Sequence, residues 1–197
     1  MPRRHLAAAA ACLAVLSTAH AAPPEIAAPL GFELGRATCA AVLAKEAQVG
    51  HKPWAENMTG AIVPPYVAKI LHLPSLAGYA AATADSAELS CDRADRVTWM
   101  RIRFATIFNA NGSVNERSAE TANSLHARLR ASFNSKYRPT KAYLNDEAWQ
   151  TGNGNVALIH IGPAVVLDYY APGAMAADSK WRAAHKPPRT AAGFGQF

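Results

Sequence analysis

Between residues 84 and 104, apolar and polar side chains alternate on either side of a short polar break. "AELSCD" and "VTWMRIRF" flank "RADR", which reads as a β-hairpin with a four-residue loop. That register sets Glu88 opposite Arg101, Leu89 opposite Met100 and Cys91 opposite Thr98. Leu89, Cys91, Thr98, Met100, Ile102 and Phe104 then form a core face. Ser90, Asp92, Trp99, Arg101 and Arg103 take the other face. The two-residue period returns in "NVALIHI" and "AVVLDYY", which follow "KAYLNDEAWQT" through Gly152-Asn153-Gly154 and Gly162-Pro163. A two-residue turn at Asn153-Gly154 places Trp149 opposite Leu158 and Glu147 opposite His160. A tight Gly-Pro turn aligns Leu167 with Leu158. Trp149, Val156, Leu158, Val165, Leu167 and Tyr169 then share one face.

Elsewhere the period is helical. Ser113-x-x-Glu116 is a capping box, and Ala122, Leu125, Leu129 and Phe133 follow at spacings of three and four. A shorter helix starts at Thr38, a suitable N-cap, carries Val42, Leu43 and Ala47 on one side, and ends at Gly50. The segment between Gly50 and the first hairpin is broken by Pro53, Pro64, Pro65 and Pro74, and Tyr66–Leu73 reads equally as helix or strand. The order is helix, irregular segment, hairpin, then helix, hairpin, strand. It predicts an α+β fold: an antiparallel sheet with one or two helices packed on one face, readable as two helix-plus-hairpin units.

The chain opens with Arg3-Arg4, an apolar stretch from Leu6 to Leu16, and Ala19-His20-Ala21 before Pro23-Pro24. These are the three regions of a secretory signal peptide, so residues 1–21 are expected to be a leader and the product periplasmic or secreted. Residues 22–170 are then a single α+β domain. Residues 171–197, rich in Ala, Gly and Pro, are expected to be a flexible basic tail with at most a helical turn near Trp181. The formal net charge is +6, and much of the excess sits in that tail. No basic face of the kind a nucleic-acid reader needs is legible, and no membrane span is expected in the mature chain.

Of the three cysteines, Cys12 lies in the leader. The remaining two, in an oxidising compartment, favour a disulfide between Cys39 and Cys91. Closing that loop would stabilise the fold by about 4 kcal/mol in the chain-entropy picture. The competing readings are an unpaired structural thiol and a thiolate at a helix N-terminus. His51, His72, His126, His160 and His185 show no ligand spacing, so no metal and no cofactor is expected.

The phrase Leu30-Gly31-Phe32-Glu33-Leu34-Gly35-Arg36-Ala37-Thr38 resembles the opening of small secreted bacterial proteins of the β-lactamase-inhibitor-protein family and of outer-membrane-assembly lipoproteins of the SmpA type. Lys136-Tyr137-Arg138-Pro139 is similar to the Lys-Tyr-Gly-x-Pro ending of their helices, without its glycine. The lipoprotein cysteine at the mature start is absent. The resemblance implies helix-plus-hairpin units on an antiparallel sheet and a binding role, and it transfers no site residue.

Two candidate sites follow. Trp99, Arg101 and Arg103 share the outward face of one strand and have the composition of an interaction hot spot. The plainer alternative pairs Arg101 with Glu88 across the hairpin and half-covers Trp99 with a loop. Glu147 opposite His160 is an acid–base pair in search of a nucleophile. The expected function is therefore a non-enzymatic periplasmic or secreted binding protein with a protein partner in the cell envelope, engaging an envelope protein or inhibiting an enzyme. The alternative is a small secreted hydrolase using His160 and Glu147.

Overall fold

The structure is a computed structural model that describes residues 23–58, 64, 66–77, 79, 84–104, 116–140, 147–161 and 164–185, with the backbone alone at 116–120 and 160–161. The proposed leader, the Ser113 cap and the segment from residue 186 lie outside the described residues. After a single 3-10 turn, Pro29–Gly31, the chain forms α1 (Cys39–Gln48), β1 (Trp54–Asn57), β2 (Lys69–Leu73), β3 (Ala84–Cys91) and β4 (Val97–Phe104). It repeats that plan with α2 (Glu116–Lys136), β5 (Arg138–Thr140), β6 (Glu147–Thr151), β7 (Gly154–Ile161) and β8 (Ala164–Tyr170), and then adds α3 (Ala174–Ala184). All eight strands belong to one antiparallel sheet in the order β1-β2-β3-β4-β8-β7-β6-β5. The fold is α+β, as the alternation predicts, with the last strands of the two halves paired at its centre. No described helix is long and apolar enough to cross a membrane.

Two neighbouring rows across the strands define the faces. One runs Ala55, Leu71, Leu89, Met100, Tyr169, Val156, Trp149 and Pro139. From Leu71 to Trp149 every member is buried. The next row, one residue along and so facing the other way, runs Trp54, His72, Glu88, Arg101, Asp168, Ala157, Ala148 and Thr140. Both main helices pack on the apolar row. From α2, Phe133 meets Trp149 edge-on at 5.3 Å, and the Trp149 indole N–H donates to Asn134 at 2.8 Å. Buried aromatic pairs of this kind contribute about 1 kcal/mol beyond their area.

The shorter α1 buries only Cys39, Val42 and Glu46, and it is fixed at its N-terminus by the β3–β4 loop. Thr38 caps it as expected, its Oγ1 accepting from the Ala41 N–H at 3.1 Å. Asp95, held at φ 62°, accepts from the Cys39 N–H through its carbonyl and from the Ala40 N–H through its carboxylate. Upstream, Gly35 takes φ 80° and donates to the Val97 carbonyl at 2.8 Å, a conformation that suits glycine. A disulfide joins Cys39 to Cys91 with their Cα atoms 6.2 Å apart, so the sulfurs are a covalent staple. Asp95 stands within metal-ligand distance of both, but disulfide sulfurs are not thiolate donors.

The first hairpin keeps the expected pairs Glu88–Arg101 and Leu89–Met100. It departs from expectation one step later. Ser90 pairs with Trp99 and Cys91 with Val97, leaving Thr98 as an extra residue in a bulge. Val97 rather than Thr98 therefore joins the core beside Cys91. Thr98 turns to the opposite face, where its hydroxyl lies 3.1 Å from Ser90 Oγ and donates to the Tyr66 carbonyl at 2.9 Å. The bulge satisfies a buried threonine that regular alternation would have pressed into an apolar layer. Of the ambiguous segment Tyr66–Leu73, Lys69–Leu73 is strand.

The β6–β7 hairpin differs from expectation by two residues. Thr151 pairs with Gly154, Trp149 with Val156 and Glu147 with Leu158, so the loop is Gly152-Asn153. An even shift keeps every side chain on its expected face. Gly154 is used inside the strand: at φ 145° it lies so close to the Tyr170 carbonyl that a Cβ would collide with it. Asn153 has a long-range task. Its side-chain amide accepts from the Ala27 N–H at 2.7 Å and donates to the Ala27 carbonyl at 2.9 Å, clamping the N-terminal lead-in to the hairpin tip. The β7–β8 register aligns Leu158 with Leu167 as expected.

From residue 171 the chain was expected to be a flexible tail, and here the structure differs. Residues 174–184 are helical, Ala171, Ala174 and Asp178 are buried, and the Tyr66 hydroxyl donates to the Asp178 carboxylate. A buried, hydrogen-bonded aspartate is the anchor that composition alone concealed.

Candidate functional site

The outward row of the sheet carries the expected trio Trp99, Arg101 and Arg103, and the structure gives the three different roles. Arg101 does not pair with Glu88, its cross-hairpin neighbour. Its Nε and Nη2 donate to the two carboxylate oxygens of Asp168 on β8 at 2.7 and 2.6 Å. Asp168 is 1% exposed, so this is a bidentate pair closing the seam between β4 and β8. These hydrogen bonds, donated to Asp168, hold the guanidinium still more firmly in its charged form. The same guanidinium lies 5.1 Å from the centroid of the Trp99 ring, a cation–π arrangement.

Trp99 is half-buried, and what covers it is α3 and the Tyr66 segment. Together Tyr66, Ile70, Trp99, Tyr170, Trp181 and Arg182 line a crevice of about 170 Å³. Asp178 at its base accepts from Tyr66 and from Arg182 Nε at 2.8 Å. Burial, then the neighbouring carboxylate, pushes the Tyr66 hydroxyl far above its ordinary range. Arg103 is the open member of the trio. Its side chain is 50% exposed and its only ion pair among the described residues is a long one to Glu88, at 3.4 Å.

Four further groups extend this surface to the sheet edge. The Trp54 ring stacks on His72 with centroids 4.4 Å apart and planes 10° from parallel. His72 Nδ1 lies 3.6 Å from Glu88 Oε1, and Nε2 lies 3.4 Å from Glu56 Oε1, where the angle makes no hydrogen bond. Trp54 remains 52% exposed. The result is a charged and aromatic band in which Glu56, His72, Glu88 and Arg103 brace one another and two large side chains, Trp54 and Arg103, stay available. The sequence reading missed Trp54, His72 and Asp168. A signal existed for the last: a lone aspartate in the apolar run "AVVLDYY" demands a cation opposite it, and Arg101 is the cation two strands of the same pattern supply.

The second candidate pair is not assembled by the backbone. Leu158, not His160, stands opposite Glu147, and His160 stands opposite Val165. Glu147 is engaged instead by Arg130 of α2, whose Nε donates at 2.7 Å. The His160 side chain lies outside the described residues.

On the helix side, Glu46 is fully buried in α1. It accepts from the Tyr79 hydroxyl, and its other oxygen lies 3.2 Å from His51 Nδ1. Burial and the Glu46 hydrogen bond hold the Tyr79 hydroxyl well above its ordinary range. These contacts satisfy a buried carboxylate within the fold. Compared with protein-family models, with curated proteins and with solved structures, the chain matches none of them.

Proposed function

We propose that this is a non-enzymatic periplasmic or secreted binding protein that engages a protein partner in the cell envelope through the sheet face turned away from α1 and α2. The observation that carries the reading is the band from Trp54 to Asp168. Tryptophan and arginine dominate interface energetics when neighbours hold them rigid. Here Trp54 is held by stacking on His72, while Arg103 extends from a strand fixed by the adjacent Arg101–Asp168 bridge. The Cys39–Cys91 disulfide supports an oxidising compartment, and the resemblance of the Leu30–Thr38 phrase to secreted inhibitors and envelope lipoproteins points the same way.

The test is affinity capture from an envelope extract with the wild-type chain, the partner being identified by mass spectrometry and then purified. Trp54→Ala and Arg103→Glu should each weaken its binding at least about tenfold, or about 1.4 kcal/mol, with the melting temperature nearly unchanged. Undiminished binding by both variants would refute the assignment.

A further inference from the structure

The helix side of the sheet contains an opening that the described residues leave unfilled. Over the seam of β4 and β8, beside α1, lies a chamber of about 450 Å³ walled by Leu30, Ile102, Phe104, Leu167 and Tyr169. It opens to solvent on one side, and its volume falls in the range of small-molecule sites. Two features of its lining point to an occupant.

The first is charge: Lys45, exposed on α1, is the single charged residue of the described lining, and it has no ion-pair partner among the described residues. The second is strain: Leu30, one wall, sits at φ 55°, a left-handed conformation that costs a non-glycine residue about 1–3 kcal/mol and is found at ligand clamps.

We propose that this chamber binds a medium-chain organic carboxylate, its alkyl body against Ile102, Phe104 and Leu167 and its headgroup at Lys45. An alkyl chain laid in the concavity removes its own apolar surface and that of the wall from water. A lone ammonium at the chamber's edge selects an anionic end, because an unpaired charge beside a low-dielectric wall gains most from a counter-ion. The site is on the opposite side of the sheet from the proposed partner surface, so the two readings stand or fall separately.

The test uses the full secreted chain and two probes of equal length, decanoate and 1-decanol, titrated by calorimetry below their aggregation limits. Wild type should bind decanoate saturably at one per chain. Lys45→Met should weaken decanoate about tenfold, equivalent to about 1.4 kcal/mol, while leaving decanol within about twofold. Ala28→Trp, at an exposed position of the lining, should fill the chamber and abolish both while circular dichroism and melting remain those of wild type. Sedimentation with phosphatidylglycerol vesicles separates a free acid from a lipid surface. Absence of saturable decanoate binding, binding that survives Ala28→Trp, equal losses for acid and alcohol in Lys45→Met, or pelleting with vesicles without uptake of free decanoate would each overturn the proposal.

Discussion

Replacing Arg101 with methionine keeps the unbranched stem of the side chain and removes its guanidinium and charge, and the structure sets what that should cost. Asp168 is 1% exposed and takes both of its strong hydrogen bonds from Arg101, leaving, among the described residues, only a long contact from the Tyr170 hydroxyl at 3.4 Å. Breaking one partner of a buried pair costs about 3–5 kcal/mol, because the surviving charge stays desolvated. The Arg101 side chain is 28% exposed, so water can reach part of the vacated space, and a figure near the lower limit, about 3 kcal/mol, is expected. For a chain of this size that corresponds to a fall in melting temperature of roughly 6–12 °C. The double variant Arg101→Met with Asp168→Leu removes the stranded charge and should recover to within about 1 kcal/mol of wild type. The assay is urea unfolding followed by circular dichroism for wild type, both single variants and the double, read as a thermodynamic cycle. A coupling below about 0.5 kcal/mol, or a cost for Arg101→Met under about 1 kcal/mol as exposed pairs give, would show that the pair is not buried in the way that matters. The same experiment separates structure from recognition: loss of a partner on mutating Arg101 would report a damaged seam, whereas loss on mutating Arg103 or Trp54 reports a surface.

Two further outcomes are expected. Replacing Cys39 and Cys91 with alanine should lower the unfolding free energy by about 4 kcal/mol on the chain-entropy estimate for a closed loop of this length, measured by urea denaturation under oxidising conditions; a change under about 1 kcal/mol would mean that α1 is held by its packing alone. Alkaline stability should fall steeply, because burial first, and the Asp178 and Glu46 carboxylates next, raise the hydroxyls of Tyr66 and Tyr79, while burial raises those of Tyr169 and Tyr170. A raised folded pKa gives stability that is complete below the unfolded value, about 10, and is lost as pH climbs toward the folded values, at up to about 1.4 kcal/mol per pH unit for each tyrosine. Absorbance at 295 nm should therefore gain most of its tyrosinate signal together with unfolding, and a smooth titration near pH 10 in a chain with native circular dichroism would contradict this.

The parts of the fold that were legible are those in which one physical rule acts without competition. The alternation in "AVVLDYY" and in "MRIRF", residues 100–104, fixed which side chains face the core, because regular strand geometry leaves no other choice. Thr38 and Gly50 bounded α1 because capping is local, and the cysteine pair followed from the count together with the expected compartment. What escaped needed a partner distant in sequence. β1 was hidden because its four residues are all exposed and so carry no apolar period. Thr98 left the expected face because Tyr66 offered it an acceptor from 32 residues away. The hairpin turn moved because Gly154 is required against Tyr170 and Asn153 against Ala27. The candidate surface was half legible for the same reason: the strand alternation placed Trp99, Arg101 and Arg103 together, but only the β4–β8 pairing shows that Arg101 is occupied and Arg103 open.

That pairing also explains why the staple, the bridge and the chamber sit where they do. Each half runs helix and then four strands, and the halves meet through their last strands, so β4 and β8 lie antiparallel about an approximate two-fold axis normal to the sheet. On the outward face the seam is closed by Arg101 and Asp168, one charge from each half. On the inward face the two described helices cover the sheet unequally, because α1 has 10 residues where α2 has 21. A short helix buries little, so the first half requires a covalent tie from α1 to β3, and Cys39–Cys91 supplies it. It also leaves Ile102, Phe104, Leu167 and Tyr169 under an unfilled space beside Lys45. Lengthening α1 by further turns of apolar helix would, on this reasoning, make the disulfide dispensable and close the chamber together, since both follow from the same deficit of cover.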